Sequence, residues 1–303
     1  MVERIINNKV TSTRGFEKLY PYQSNYFLNN GFNMHYIDQG KGKPLLMVHG
    51  NPTWSFYFRS VVDKFSHDFR TIVPDHIGCG FSDKPGVQDY NYTLQRRISD
   101  LGSFINHLNL KDKITLIVHD WGGMIGLAWA LENLSKIEKI IITNTAGFLL
   151  PPHKSFPLRL ALIKYFTPFA VPAVLGFNLF SFAALYIAAT TSLTREVKKG
   201  LKAPYNNWKN RIATLKFVQD IPLTKDDQSY GIVKKVDDNL YKINNLPIMF
   251  LWGLKDFIFD KNFLTEWQKR FPNAEYHIFK NGGHYIFEDK PGEILLLIEK
   301  FLN

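Results

Sequence analysis

Six short apolar runs, each closed by turn residues, punctuate the chain: PLLMVHG (44–50), RTIVPD (70–75), ITLIVHD (114–120), EKIIITNT (138–145), LPIMFLWG (246–253) and AEYHIFK (274–280). Their shortness and branched content predict buried strands. Between them the apolar positions recur with helical spacing at 92–109, 122–134, 261–270 and 288–302. Alternation of this kind predicts an α/β fold with a mostly parallel central sheet covered by helices on both faces. SNYFLNNGFNMHYIDQG (24–40) reads as an antiparallel hairpin turning at Asn29-Asn30-Gly31, a natural start for a sheet edge.

The alternation stops between 148 and 228, where the chain is rich in Pro, Phe, Leu and Ala and holds no core-strand pattern. The expected organisation is therefore a core of 1–147 and 228–303 interrupted by a helical cap at 148–227. No charged residue occurs between Lys164 and Arg195. That length would permit a membrane span. Pro168, Pro172, Gly176 and Asn178 cut it into pieces, however, and a single span would place the two halves of the sheet on opposite sides of a bilayer. The expectation is a greasy cap over a lipophilic small-molecule pocket, with membrane-surface contact through the cap as a further role.

Composition sharpens this picture in a few places. A chain of 303 residues with 45% hydrophobic content can bury a large core. The 25 Phe residues make a ring-lined pocket the expectation. A single cysteine, Cys79, excludes an intramolecular disulfide and fits a reducing compartment. The first twenty residues contain no continuous apolar stretch of signal type, so a cytoplasmic location is expected. The net charge of +10 fits a soluble basic protein, with attraction to an anionic membrane face or an acidic partner as the alternative. Zinc spacing and basic recognition helices are missing, so nucleic acid is not expected as a partner. No phosphate loop, dinucleotide fingerprint or metal-ligand cluster occurs, so neither cofactor nor metal is expected.

The run ITLIVHDWGGMIGLAWA (114–130) carries the chemistry. A sharp strand-to-helix turn lifts one side chain above a sheet and aims the next backbone N–H groups at whatever reacts there. Small residues such as Gly122 and Gly123 let strand and helix approach. This is a nucleophile-elbow arrangement with Asp120 in the usual Ser position, and with Val118 where a Gly is usual. The blander reading of Asp120 is a helix N-cap. As a nucleophile, a carboxylate forms an ester with an electrophilic carbon and needs no base for that step.

His284, in the glycine-rich loop KNGGHYIFED, follows in the right order to serve as the base. His119, His49 and His277 have weaker positions: below the elbow, at a strand end, and inside a strand. In LWGLKDFIFD, Asp256 is placed to orient the imidazole, whereas Asp260 suits a helix cap. After the preceding strand the chain offers Asn144 and no carboxylate. Asn51 in VHGNPTW and Trp121 supply N–H donors beside the nucleophile, as an anion leaving there would require. Their blander readings are a turn before Pro52 and a packing ring.

HGNPTWSFYFR, VPDHIGCGFSDKP, HDWGGMIG, WGLKDFIFD and GGHYIFED occur in order and span nearly the whole core. In these motifs the chain resembles the haloalkane dehalogenase-like branch of the α/β-hydrolases. Epoxide hydrolases share the Asp elbow but usually lack the Asn-Pro pair, and fluoroacetate dehalogenases usually carry Arg near the nucleophile. APYNNWKNRIATLKFVQDIPL (203–223) and DHIGCGFSDKP (75–85) resemble the β-lactone decarboxylases of long-chain olefin biosynthesis most closely.

That resemblance implies conversion of a cis-3-alkyl-4-alkyloxetan-2-one to a cis-alkene and carbon dioxide, alongside other enzymes of such a pathway. Asp120, His284 and Asp256 would be catalytic, and Asn51 and Trp121 would hold the leaving anion. The alternative is hydrolytic dehalogenation, in which the same residues displace halide and His284 activates water. An epoxide hydrolase or a non-catalytic ligand-binding relative stands behind both.

Overall fold

The computed structural model describes residues 12–303. Eight strands form one sheet: β1 (Asn25–Asn29), β2 (Phe32–Gln39), β3 (Pro44–Val48), β4 (Arg70–Pro74), β5 (Ile114–Asp120), β6 (Ile137–Thr145), β7 (Ile248–Gly253) and β8 (Glu275–Phe279). Their order is β1-β2-β4-β3-β5-β6-β7-β8. β2 runs antiparallel to both of its neighbours, and every pairing from β4 to β8 is parallel. The anticipated hairpin is β1–β2, with Asn30 and Gly31 both at positive φ in its turn.

Side-chain alternation divides the interior into two cores. Leu46, Val48, Leu116, Val118, Ile140 and Ile142 pack on one face of the sheet. Leu45, Met47, Ile117, Ile141, Met249 and Leu251 pack on the other. Burial on both faces explains why these strands read as unbroken apolar runs. The mostly parallel α/β fold expected from the pattern is the fold observed.

Three local differences have simple causes. The run at 44–50 ends as a strand at Val48, because His49, Gly50 and Asn51 turn across the sheet end toward Asp120. The helix expected at 288–302 is two helices, Ile286–Asp289 and Pro291–Leu302; Pro291 begins the second, where its missing N–H costs nothing. The helices Arg59–Phe65 and Tyr230–Asn239 had no clear sequence pattern.

From 146 to 247 the chain forms no strand. Short helices at Leu158–Tyr165, Thr167–Ala170, Leu179–Ile187, Arg195–Lys202 and Ile212–Gln219 lie in this span, with a π-helical segment at Val171–Gly176. Ala170, Val174, Leu175 and Leu215 make a small separate core among them.

Candidate active site

β5 ends on Asp120, whose backbone sits at φ 52 and ψ −128. For a non-glycine residue this is a strained conformation, and its neighbours hold it in place. The helix Trp121–Glu132 starts immediately. A Cβ on Gly122 would lie 1.9 Å from the Val48 carbonyl oxygen, and one on Gly123 would lie 1.9 Å from Thr145 Oγ1. Both glycines are therefore required by close approach. The Thr145 hydroxyl donates to the Asp120 carbonyl and pins the strained residue from β6.

The Asp120 carboxylate is buried. Its Oδ1 accepts the Asn51 backbone N–H at 2.6 Å, and the Trp121 backbone N–H also supports it. Burial pushes its pKa up from the usual carboxylate value, and the opposing pull of His284 and these N–H groups does not cancel the shift.

His284 Nε2 stands 3.7 Å from Asp120 Oδ2, just beyond hydrogen-bond distance. On its other side, Nδ1–H donates to Asp256 Oδ2 at 2.7 Å. Asp256 Oδ1 accepts the backbone N–H groups of Ile258 and Phe259 at 2.8 and 3.1 Å, so the carboxylate is fixed from its own loop. Burial disfavours the His284 imidazolium, but Asp256 and then Asp120 outweigh it and raise the pKa. The Phe259 ring stacks on His284 with centroids 5.9 Å apart. Asp260 is engaged elsewhere: it caps the helix Lys261–Arg270 through the Asn262 N–H and pairs with Lys154 at 2.8 Å.

This geometry joins a carboxylate, an imidazole and a second carboxylate in series at the C-terminal ends of β5, β7 and β8. The sequence matches the α/β hydrolase fold family over residues 43–291. The chain belongs to that family.

Among its α/β-hydrolase relatives is a cis-3-alkyl-4-alkyloxetan-2-one decarboxylase of Shewanella oneidensis. It is 44% identical over 95% of this chain and 90% of the relative. A decarboxylase of the same name from Xanthomonas campestris pv. campestris is 40% identical over 90% of this chain and 93% of its own length. Haloalkane dehalogenase 2 of Mycobacterium tuberculosis is 28% identical, covering 94% of this chain and 96% of that protein. In three dimensions the chain resembles a haloalkane dehalogenase of Agrobacterium tumefaciens, with a TM-score of 0.84 at 23% identity over 94% of this chain and 99% of that one. At that identity the likeness speaks for the fold.

Above Asp120 the chain has an apolar pocket that opens to solvent. Asn51, Asp120 and Trp121 form its floor, and Leu160, Phe180 and Val218 come from the helices between β6 and β7. Asn51 contributes more than was anticipated from the sequence. Its backbone N–H, not its side chain, holds Asp120. Its side-chain Nδ2 donates to the Thr214 carbonyl at 3.1 Å, and its Oδ1 is buried without a hydrogen-bond partner among the described residues. Trp121 is buried with its ring 5.2 Å from that of Phe217.

Four residues support the site through contacts that the sequence did not assign to them. Thr145 and Phe259 have been described. Asn144 clasps β7: its Nδ2 donates to the Gly253 carbonyl at 3.0 Å and its Oδ1 accepts the Gly253 N–H at 2.8 Å. His119 is kept neutral by burial, and its Nε2–H donates to the His284 carbonyl at 2.9 Å. For Asn144, Thr145 and His119 the only sequence signal was a polar residue inside an apolar strand; Phe259 gave none. Among the described residues no group of His, Cys, Asp or Glu could hold a metal ion.

Proposed function

We infer that this enzyme is a β-lactone decarboxylase, converting a cis-3-alkyl-4-alkyloxetan-2-one to a cis-alkene and carbon dioxide. The site geometry supports carboxylate-nucleophile chemistry beneath an apolar cavity. One observation selects the reaction within that class: the 44% identity to a decarboxylase across 95% of the chain, against 28% to a dehalogenase.

In this reading Asp120 attacks the ring carbon bearing oxygen, with inversion. The ring C–O bond breaks and its electrons leave as a carboxylate, which Asn51 and Trp121 hold. The carbon–carbon bond to that carboxylate then breaks to release carbon dioxide. Its electron pair forms the alkene and expels Asp120 as a carboxylate. Inversion places the two departing groups anti to each other, and anti elimination from that arrangement keeps both alkyl chains on the same side. The cis geometry of the lactone thus becomes the cis geometry of the alkene. No proton or water is consumed. His284, charged and held by Asp256, stabilises Asp120 as it regains its negative charge.

The cavity walls Leu160, Phe180 and Phe148 suit alkyl chains, and the segment 148–227 acts as the cap that shelters them. The setting we infer is cytoplasmic, beside the other enzymes of long-chain olefin biosynthesis; the one cysteine, Cys79, is a buried thiol.

A product assay tests the reading. Purified protein is given a long-chain cis-β-lactone and, in parallel, a 1-bromoalkane. Alkene from the lactone supports it; halide release without alkene would instead identify a dehalogenase.

A further inference from the structure

Charge and apolar exposure are concentrated in the same part of this molecule. Residues 151–219 contain 10 Lys and Arg but a single acidic residue, Glu196, so this span carries +9 of the chain's net +10. Two of these cations are neutralised from outside the span, Lys154 by Asp260 and Lys164 by Asp227.

The same span exposes large rings. Phe177 is 76% exposed, Tyr186 57%, Trp208 48% and Phe182 47%. They are neighbours: the Phe182 and Tyr186 rings are 5.1 Å apart, and a Cβ on Gly176 would lie 3.5 Å from the Trp208 ring. Basic groups border them. Lys198 Nζ lies 4.4 Å from the centre of the Tyr186 ring. Phe177 and Phe182 share the walls of a surface cavity with Arg14, Lys199, Lys202 and Arg211. Glu17 is close enough to Lys199 to feel its charge.

An exposed aromatic cluster with a basic border is unusual on a protein surface in water. No single helix among the described residues is long and apolar enough to cross a membrane, and the helices that come nearest, Leu158–Tyr165 and Thr167–Gly176, are bent by 100° to each other. The feature is thus a face and not a span. We propose that the face formed by Phe177, Phe182, Tyr186 and Trp208 docks on an anionic lipid bilayer. The rings enter the headgroup boundary, and Lys198, Lys199 and Lys202 meet lipid phosphates. A second copy of the chain is a poor occupant, because two such strongly basic faces repel. An acidic soluble protein would meet the charge but would not account as well for rings of the kind that favour the membrane interface.

Docking stands on this surface alone. Only its consequence, uptake of a lipophilic lactone past the helix Leu179–Ile187, which also gives Phe180 to the reaction pocket, rests on the decarboxylase reading.

Co-sedimentation of the full chain with vesicles tests docking without any substrate, so the two inferences fail separately. We expect vesicles of three parts phosphatidylcholine to one part phosphatidylglycerol to bind at least tenfold more strongly than phosphatidylcholine alone at about 0.1 M salt, and about 0.5 M salt to remove most of that difference. The triple variant F177S/F182S/Y186S and the charge-reversal variant K198E/K202E should each lose at least tenfold in binding. Both should keep wild-type turnover of detergent-dispersed substrate, since none of these residues lines the reaction cavity. If the triple variant melts early, the charge-reversal pair decides alone. Equal binding to both kinds of vesicle, or wild-type binding by the variants, overturns the proposal. So does a dimer in sedimentation velocity that the variants abolish, or equal loss of vesicle binding to a soluble polyanion whatever the rings.

Discussion

Asp75 and Asp120 are both buried carboxylates at C-terminal strand ends, separated in the sheet only by β3. Both also press against a glycine: a Cβ on Gly80 would lie 2.0 Å from Asp75 Oδ2, and one on Gly50 would lie 1.9 Å from Asp120 Oδ1. Their chemistry differs. Asp75 receives His35 Nδ1 at 2.7 Å, the Ser55 N–H at 2.7 Å and the Phe81 N–H at 2.9 Å. Burial opposes its charge, yet His35, then His49 and Ser55, hold its carboxyl well below the usual range.

Asp120 Oδ1 accepts the Asn51 backbone N–H, while Oδ2 faces His284 across 3.7 Å, and burial shifts its pKa up. Depth is therefore not what separates Asp75 from the proposed nucleophile Asp120. What separates them is whether the oxygens are fully occupied. Asp75 knits the β2, β3 and β4 ends together, and Asp120 keeps an oxygen available to a substrate.

The sharpest way to break this comparison is to remove each charge in turn. Asp120→Asn should lower kcat/KM by about a thousandfold or more, because an amide is a poor nucleophile. It should melt no lower than the wild type, since a buried carboxylate with a raised pKa is a cost to the fold at neutral pH. Steady-state rates and calorimetry on freshly purified protein check both halves. Asp75→Asn should do the reverse. It leaves buried donors facing an NH₂ group and should cost about 3–5 kcal/mol of stability. A drop of roughly 10 °C in Tm is expected, with the remaining folded protein still active.

A second pair of acids sharpens the account further. Asp256→Asn should reduce turnover about a hundredfold, because the amide cannot balance an imidazolium and can select the wrong tautomer. Asp260→Asn should change turnover less than about threefold, since Asp260 caps a helix, pairs with Lys154 and makes no hydrogen bond to His284 or Asp120. Rates of the two variants measured side by side test the choice of acid.

The pH dependence is the next smaller effect, about tenfold per pH unit beyond each limb. Burial raises the Asp120 carboxyl, so activity should fail on acidification at a pH above the ordinary Asp value of about 3.9. Asp256 and Asp120 raise His284, so its imidazolium should persist above the ordinary value of about 6.5, and activity should fall as pH rises through that raised value. Asp256→Asn should move the alkaline limb down. A rate that instead climbs as His284 loses its proton would mark it as a base acting on water.

The parts of the molecule that were legible in the sequence are those where one physical requirement dominates. Strands buried on both faces must be apolar, so β5 was bounded to the residue, and the cap at Asp260 bounded the start of the helix Lys261–Arg270 in the same way. The elbow was legible because close approach admits only glycine at Gly122 and Gly123. Asp256 could be preferred to Asp260 because only one of them follows a strand directly.

Less was legible where a residue's role depends on which distant backbone it meets. Asn51 reads as a side-chain donor to an anion, but its backbone N–H reaches Asp120, 69 residues away, and its side chain reaches Thr214. Asn144 and Thr145 look like ordinary strand-end polar residues until β7 and the helix after β5 are packed against them. His119 grips the His284 carbonyl, a contact set by loop geometry that no local pattern encodes.

The central claim is that Asp120 is both nucleophile and leaving group, regenerated by elimination without water. Many turnovers of a cis-β-lactone in heavy-oxygen water, followed by mass spectrometry of the peptide containing Asp120, test it directly. Alkene and carbon dioxide should form while the Asp120 peptide stays at its natural mass. Heavy oxygen accumulating in Asp120 as alkene forms would show that water cleaves an ester intermediate, and would contradict the account.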